Sequence, residues 1–554
     1  MRVRVSILSG LVMVLAWIIP NHYYPWTSFY HDFLAFSALW LLLLCFCRER
    51  FAVSPSVIFV VLLSLVPLLQ VLGGVIVFSG DGLIASLYLL GFAVALLVGR
   101  QLTQWSGYSS FEYVGWVLLA GAFFSGWIAI SQFLEVGRSI WLVDLKPGGR
   151  PFANLSQPNN LATLLMLGLA ALLYLHEKRR LGAVASSALA LCLLSGLALT
   201  QSRTPWVGCV CLLIWRSINY KHAGLSIRNY VLFGWVVCYV GILFSLPYLA
   251  GYLQLTELDI ARRASESVRL DMWGQMVVAI VDGPLWGYGW NQVSFAQLAV
   301  TLAKPVQAAT EHGHNIILDL LIWNGPIIGG LVVFACVIWV GRLAFSVRTA
   351  EETFALLAVG LILLHGLLEF PLEYAYFLIP LGILIGLLEG QQKVGSVIFL
   401  PKGGGVPLLL VGGAVLGAIW YEYRIVEDNH RLMRFHAVGI GREIKGKPAP
   451  DVVVLTQLWS FTRFAGTPAR EGMTKEEIGW MRNVAYRYPY PPSLFRYTLA
   501  LALNGYNADA VQEMKRLRAL HGESIFSEAR QGVIGMAVTH PQLRLFSVEI
   551  QQWQ

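Results

Sequence analysis

The chain has 554 residues, of which 56% are hydrophobic and 13% charged, with a formal net charge of +8. Its mean hydropathy is +0.63. A soluble domain is about half apolar and a quarter charged. This deficit of charge excludes an ordinary globular protein and implies an all-α, polytopic transmembrane bundle.

In chain order, apolar segments are predicted at about 5–20, 33–47, 53–72, 83–99, 112–130, 159–175, 181–199, 205–219, 229–250, 315–340, 353–369, 374–389 and 405–420. That makes about thirteen spans, each near the length that crosses ~30 Å of hydrocarbon. The opening "MRVRVSILSGLVMVLAWIIP" has a basic start but no small-x-small site after its apolar run, so it reads as a retained first span. With "MRVR" in the cytoplasm, "CRER", "HEKRR", "RSINYKHAGLSIR" and "GRLAFSVRTAEE" fall on the same side. The opposite side collects "PNHYYPWTSFYH", "VFSGDG", the 131–158 loop, "TQSRT", the long 251–314 loop and "EFPLEYAY". The N-terminus is therefore expected inside and residues 421–554 outside.

Composition changes near Trp420. Residues 1–420 read as a membrane domain carrying the large 251–314 loop, and 421–554 as a small helical domain. In that tail "TKEE" (474–477) is a capping box. "PPSLFRYTLALALNGYNADAVQEMKRLRALHG" reads as helix, Asn-Gly turn, helix, loosely like a tetratricopeptide unit. All seven cysteines lie in or beside apolar runs, which argues against disulfides and thiolate metal sites. No glycine-rich nucleotide loop, Walker sequence or zinc-protease helix occurs. No nucleic-acid partner is expected, and any chemistry must draw on an activated substrate rather than ATP.

Unusual polar residues gather near the outer ends of the spans: "GGRPFANLSQPNN" (148–160), "TQSRTPW" (200–206), "ESVRLDMW" (266–273), "EHGHN" (311–315) and "HGLLEFPLEY" (365–374). Arg203 stands between two spans with almost no loop, where a charge is costly unless paired or turned to an aqueous cavity. With Arg150 and Arg269 it suggests an anion-binding cleft, because arginine is always charged and forks onto phosphate. The competing readings are plain: a headgroup contact for Arg150, snorkelling for Arg203, a solvated face for Arg262 and Arg263, and a structural ion pair for Glu369 and Glu373.

"EHGHN" leaves three readings open. His312 and His314 supply two metal nitrogens, but Glu311, Asp319 and His365 show no ligand spacing that completes a zinc site. A structural histidine, hydrogen-bonded at an interface, is the second reading. General base is the favoured one, since histidine titrates near neutral pH. Beside an arginine-bound pyrophosphate it would deprotonate an acceptor hydroxyl for inverting attack on an anomeric carbon, with the leaving charge held by arginines.

At these residues a family resemblance emerges. "EHGHNIILDLLIWNGPIIGGL" resembles the His-Asn motif of the O-antigen ligase and polymerase superfamily. "RPFANLSQPNNLATLL" is similar to the segment typical of its bacterial protein O-oligosaccharyltransferase branch, the pilin-glycosylation ligases of PglL type. "SRTPWVG", "RLDMWGQMVVAIVDGPLWGYGWNQ" and "HGLLEFPLEYAYFLIPLGILIG" match that branch in kind and order, so that the likeness covers about residues 145–390. The resemblance implies an inner-membrane enzyme that moves a glycan en bloc from an undecaprenyl-diphosphate carrier to serine or threonine of a periplasmic protein or pilin, without metal or cofactor. It implies His314, directly before Asn315, as the catalytic base, with His312 in reserve. Arg203 and Arg269 would bind the diphosphate, and Arg150, Gln157 and Asn159 would line the site. Family members often carry histidine after "QPN", where this chain has Asn160.

Two alternatives remain. The acceptor is lipid A core or another glycan unit, making the protein a ligase or polymerase. More distantly, the chain transports anionic or lipid-linked solutes. A transporter is expected to show mid-span polar residues and repeated halves, which this sequence lacks.

Overall fold

The computed structural model describes residues 2–136, 139–145, 148–218, 227–253, 268–437 and 451–553. Arg262 and Arg263 lie outside the described residues. Each of the thirteen apolar segments forms a helix. They are α1 (Arg2–Ile18), α2 (Phe29–Phe46), α3 (Pro55–Leu72), α4 (Ser79–Ser106), α5 (Ser109–Phe133), α6 (Pro158–Glu177), α7 (Ala183–Leu199), α8 (Thr204–Ile218), α9 (Asn229–Tyr252), then, beyond the long loop, α12 (Ile316–Phe345), α13 (Ala350–Gly366), α14 (Ala375–Gln391) and α15 (Gly405–Ala437). The loop itself holds α10 (Val268–Val281) and α11 (Val293–Val300). The tail holds α16 (Thr456–Ala465), α17 (Lys475–Arg487), α18 (Pro491–Leu503), α19 (Asn507–Met536) and α20 (Arg544–Gln551). Among the described residues, eight helices, α2 to α6, α9, α12 and α15, are long and apolar enough to cross a membrane, and α7 and α14 are shorter apolar helices. Two short strands, β1 (Phe51–Val53) and β2 (Ile398–Leu400), pair antiparallel with Phe51 opposite Leu400.

The chain divides into two compact units, 1–63 with 88–266 and 336–418, and 64–87 with 267–335 and 419–554. The composition boundary at Trp420 falls inside α15. The first unit packs α1 on α2 and α5, α5 on α6 and α7, and α13 and α14 on α6 and α2 respectively. Among apolar helices in lipid there is little hydrophobic drive to associate, so close dispersion contact and small residues hold the interfaces. A Cβ added to Gly99 would stand 2.3 Å from the Ile383 carbonyl oxygen, and one on Gly386 2.3 Å from that of Leu96. The α4–α14 contact therefore requires glycine on both sides. Trp17, fully buried, donates its indole N–H to the Tyr376 carbonyl at 3.1 Å.

The second unit has a core of its own, in which Phe78 and Leu298 join Met481, Leu494, Leu501, Met514, Leu517 and Phe526 of the tail. Burying each such side chain stabilises it by roughly 1.5–3 kcal/mol. The capping box forms as expected: the Glu477 amide donates to Thr474 Oγ1 at 3.2 Å and the Thr474 amide to Glu477 Oε2 at 2.8 Å. The Asn-Gly turn also forms, with Gly505 at φ 84°. Helix α19 runs further than the sequence suggested, because it breaks and restarts at Gly522 (φ 83°, ψ 177°). Glu422 on α15 accepts from the Val453, Val454 and Leu455 amides at 2.8, 2.8 and 3.0 Å, which fixes the approach to α16.

Candidate active site

In the first unit the loop before α6 is fixed by two buried amides. Gln132 pairs with the backbone of Ala153, accepting its N–H at 2.8 Å and donating to its carbonyl at 2.7 Å. Asn154 donates to the Ile18 and Trp141 carbonyls at 2.7 and 2.8 Å. Ala153 and Ser156 take positive φ values of 52° and 60°. An L residue is uncommon there and is held by its surroundings. Gln157 then adopts an extended conformation before Pro158 opens α6 at its first position, where a missing N–H does no harm.

Asn159 faces inward. Its Nδ2 donates to Glu369 Oε1 at 2.8 Å, and its Oδ1 accepts from Ser202 Oγ at 2.8 Å. Glu369 is 2% exposed, Asn159 7% and Ser202 1%. Three of the segments singled out in the sequence, "QPNN", "QSRT" and "HGLLEF", thus meet through one amide. Such burial is tolerable because each polar group is paired. Asn160 donates to the Tyr376 hydroxyl at 3.1 Å, and Thr163 bonds His365 Nδ1 at 2.8 Å. Arg203 follows Ser202 in the α7–α8 turn and is exposed, whereas Arg150, Gln157 and Glu373 are half-buried.

In the second unit "EHGHN" is pinned at several points. Asn315 caps α12: its Oδ1 accepts from the Ile317 and Leu318 amides at 3.0 and 3.4 Å. Asp319, 1% exposed in the first turn of α12, reaches back to the Gly313 amide at 2.6 Å. Thr310 Oγ1 donates to the His312 carbonyl at 2.6 Å. Between these anchors His314 sits at φ 51°. Left-handed backbone is uncommon for a non-glycine residue, though histidine adopts it more readily than most, and the anchors on either side hold it there. The approach to the loop rests on two fully buried glutamines. Gln297 donates to Gln275 Oε1 at 2.9 Å and to the Ala308 carbonyl at 2.8 Å, and accepts from the Thr310 amide at 2.9 Å.

Glu311 binds two tail residues. Arg487 Nη1 donates to its Oε2 at 2.7 Å, and the Tyr490 hydroxyl to its Oε1 at 2.7 Å. The remaining edge of Arg487 forks onto Asp81, with Nε to Oδ2 at 3.0 Å and Nη2 to Oδ1 at 3.1 Å. Burial alone would raise the Glu311 carboxyl; the charges of Arg487 and His312 and the Tyr490 hydroxyl outweigh it and hold it below its ordinary value. Sequence reasoning missed Arg487, Tyr490 and Asp81, and it weighed Asp319 only as a metal ligand. The one available signal was the density of aromatic and basic residues in "YRYPYPP" (486–492).

Beyond the loop, α12 is not one continuous span. It breaks at Gly325 (φ 75°, ψ 169°) before Pro326. "GYGW" (287–290) packs into this break: the Tyr288 and Gly289 amides donate to the Ile322 and Trp323 carbonyls at 2.8 and 3.1 Å. Trp290 stacks on Trp323 with centroids 4.5 Å apart and donates to Asn324 Oδ1 at 3.0 Å. Of the ten predicted site residues, Arg150, Gln157, Asn159, Arg203, Glu369 and Glu373 belong to the first unit, and Arg269, His312, His314 and Asn315 to the second. Arg269 is half-buried in the first turn of α10. Within the predicted set, Asn159 touches Glu369 directly.

Comparison with known proteins bears on both clusters. Residues 151–176, which hold "QPNN", match the family described as protein glycosylation ligase. Residues 187–335, which hold Arg203, Arg269 and "EHGHN", match the O-antigen ligase family. Residues 353–532, which hold Glu369 and Arg487, match the C-terminal region of the virulence factor membrane-bound polymerases. Over 94% of its length the chain is 30% identical to the General O-oligosaccharyltransferase of Acinetobacter baylyi, and it covers 93% of that protein. The chain belongs to the O-oligosaccharyltransferase family. The ComP-specific O-oligosaccharyltransferase of the same organism is 27% identical over 89% of this chain and 90% of its own length. This oligosaccharyltransferase is thus a membrane enzyme of the glycosyltransferase type, as the resemblance implied.

Proposed function

We propose that this oligosaccharyltransferase moves a preassembled glycan en bloc from an undecaprenyl-diphosphate carrier to a serine or threonine hydroxyl of a periplasmic protein, a pilin being the first candidate. The observation that carries the reading is similarity along nearly the whole chain to two O-oligosaccharyltransferases. His314 takes the proton from the acceptor hydroxyl. The hydroxyl oxygen attacks the anomeric carbon, the bond from that carbon to the diphosphate oxygen breaks, and the centre inverts. Arg203, Arg269 and Arg150 hold the diphosphate as its charge develops, a task suited to forked, permanently charged donors. Gln157, Asn159, Glu369 and Glu373 line the donor side, and Asn315 orients the base. The pinned, left-handed backbone at His314 supports its assignment over His312.

The reading includes thirteen spans in the bacterial inner membrane, a cytoplasmic N-terminus, and a periplasmic helical domain over 421–554. A reporter active only in the periplasm, fused to the C-terminus, tests the odd count. To test the activity, the chain is co-expressed with a lipid-linked glycan pathway and candidate pilins, and the pilins are weighed intact. A glycan-sized mass increment is expected. The matches to O-antigen ligases and membrane-bound polymerases favour a second reading with the same chemistry and a lipid A core or glycan acceptor. Modified lipopolysaccharide beside unmodified pilin in the same cells would select it.

A further inference from the structure

Arg487 ends α17 in the tail, yet its side chain reaches the histidine-bearing loop. The fork to Asp81 spans 406 residues of sequence and the bond to Glu311 spans 176. Its side chain is 11% exposed and that of Asp81 2%. Buried ion pairs rarely repay their desolvation, so this one would be a poor choice for stability alone. What it does geometrically is specific. One planar guanidinium with a fixed fork joins the start of α4, the end of α17 and the residue beside His312. Tyr490, three residues on, takes the other oxygen of the same carboxylate. The Arg487 carbonyl accepts from Ser294 Oγ at 3.2 Å, and Phe295 meets Tyr486 edge-on at 5.8 Å, so the end of α17 is itself held against α11.

We propose that Arg487 is a positioning residue for the transfer reaction: through Glu311 it fixes the "EHGHN" loop in the conformation that presents His314. The tail domain, on this account, acts on catalysis through the loop and is more than a docking platform for the acceptor. The proposal rests on the reading of His314 as general base. Displacing a base by about 1 Å costs on the order of a hundredfold in rate, so a modest relaxation of the loop suffices.

The test uses full-length protein in detergent or liposomes, with lipid-linked glycan and an acceptor pilin. Arg487→Ala should lower kcat by roughly tenfold to a hundredfold while leaving KM for the lipid-linked donor within about threefold. Arg487→Lys should recover part of the loss, since one cation can hold one carboxylate but not both. Combining Arg487→Ala with Glu311→Ala should cost clearly less than the sum of the two single losses, because the two residues share one contact. Arg470→Ala, which breaks an exposed tail pair with Glu477, should leave kcat unchanged and serves as the control for general damage to the domain. Melting temperature is followed for every variant. Additive losses, a loss entirely in KM, or a kcat drop shared by Arg470→Ala would overturn the proposal. A fully active His314→Ala variant would instead remove the reading beneath it, and the two failures are separable.

Discussion

The two polar clusters are built from different chemistry. In the first unit Asn159 joins the Glu369 carboxylate and the Ser202 hydroxyl through one amide. In the second unit Arg487 joins two carboxylates and a phenol stands beside them. An amide contact of this kind is short-ranged and tied to backbone turns. It suits a wall that must hold its shape inside apolar helices, where isolated charge is expensive. An arginine fork acts over longer side chains and can join distant parts of one chain, which suits fixing a loop from outside.

This contrast can be broken at several points. The largest effect is expected from Arg203→Lys, next to Ser202 in the chain. It keeps the charge but loses the fork, and should reduce kcat/KM for the lipid-linked donor roughly ten- to hundredfold, the worth of a charge-assisted hydrogen bond. Steady-state kinetics with donor varied checks this, and unchanged kinetics would leave Arg203 as a snorkelling residue. Next, Asn159→Ala removes a donor from a buried carboxylate and an acceptor from Ser202. It should destabilise the first unit by about 1–3 kcal/mol, visible as a lower midpoint in detergent thermal melts. If the wall is instead loosely built, the midpoint will not move. Asn315→Ala deletes the cap of α12 and should cost about 1 kcal/mol, with activity falling more than stability because the cap adjoins His314. The smallest effect concerns pH. The Glu311 carboxyl is held below its ordinary value. Its clamp therefore contributes stability above that ordinary value and loses it as pH falls through the depressed one. A thermal midpoint that declines on acidification in the parent, and less so in Glu311→Gln, is the expected pattern.

Much of this was legible in the sequence, for identifiable reasons. Apolar length is a property of contiguous residues, so all thirteen segments read as helices are helices. The Thr474–Glu477 capping box and the Asn504–Gly505 turn are equally local. Asn159 and Glu369 were picked as polar residues at span ends without knowing that they touch. The partners of Arg487 lie far away in sequence, and its neighbours in "AYRYPYPP" carry no spacing that names Asp81 or Glu311. The break in α12 was printed as "WNGP", but proline and glycine are tolerated in membrane helices, so hydropathy read straight through it. What closes the break is "GYGW", some thirty-five residues earlier, and only tertiary packing brings them together.

The central claim is that His314, and not its neighbour, carries the proton. It is tested most directly by intact-mass measurement of pilin from cells expressing His314→Ala or His312→Ala with a lipid-linked glycan pathway. Both variants are first shown to insert at the parent level. The account predicts unmodified pilin with His314→Ala and substantial modification with His312→Ala. Fully glycosylated pilin from the His314→Ala cells would contradict it.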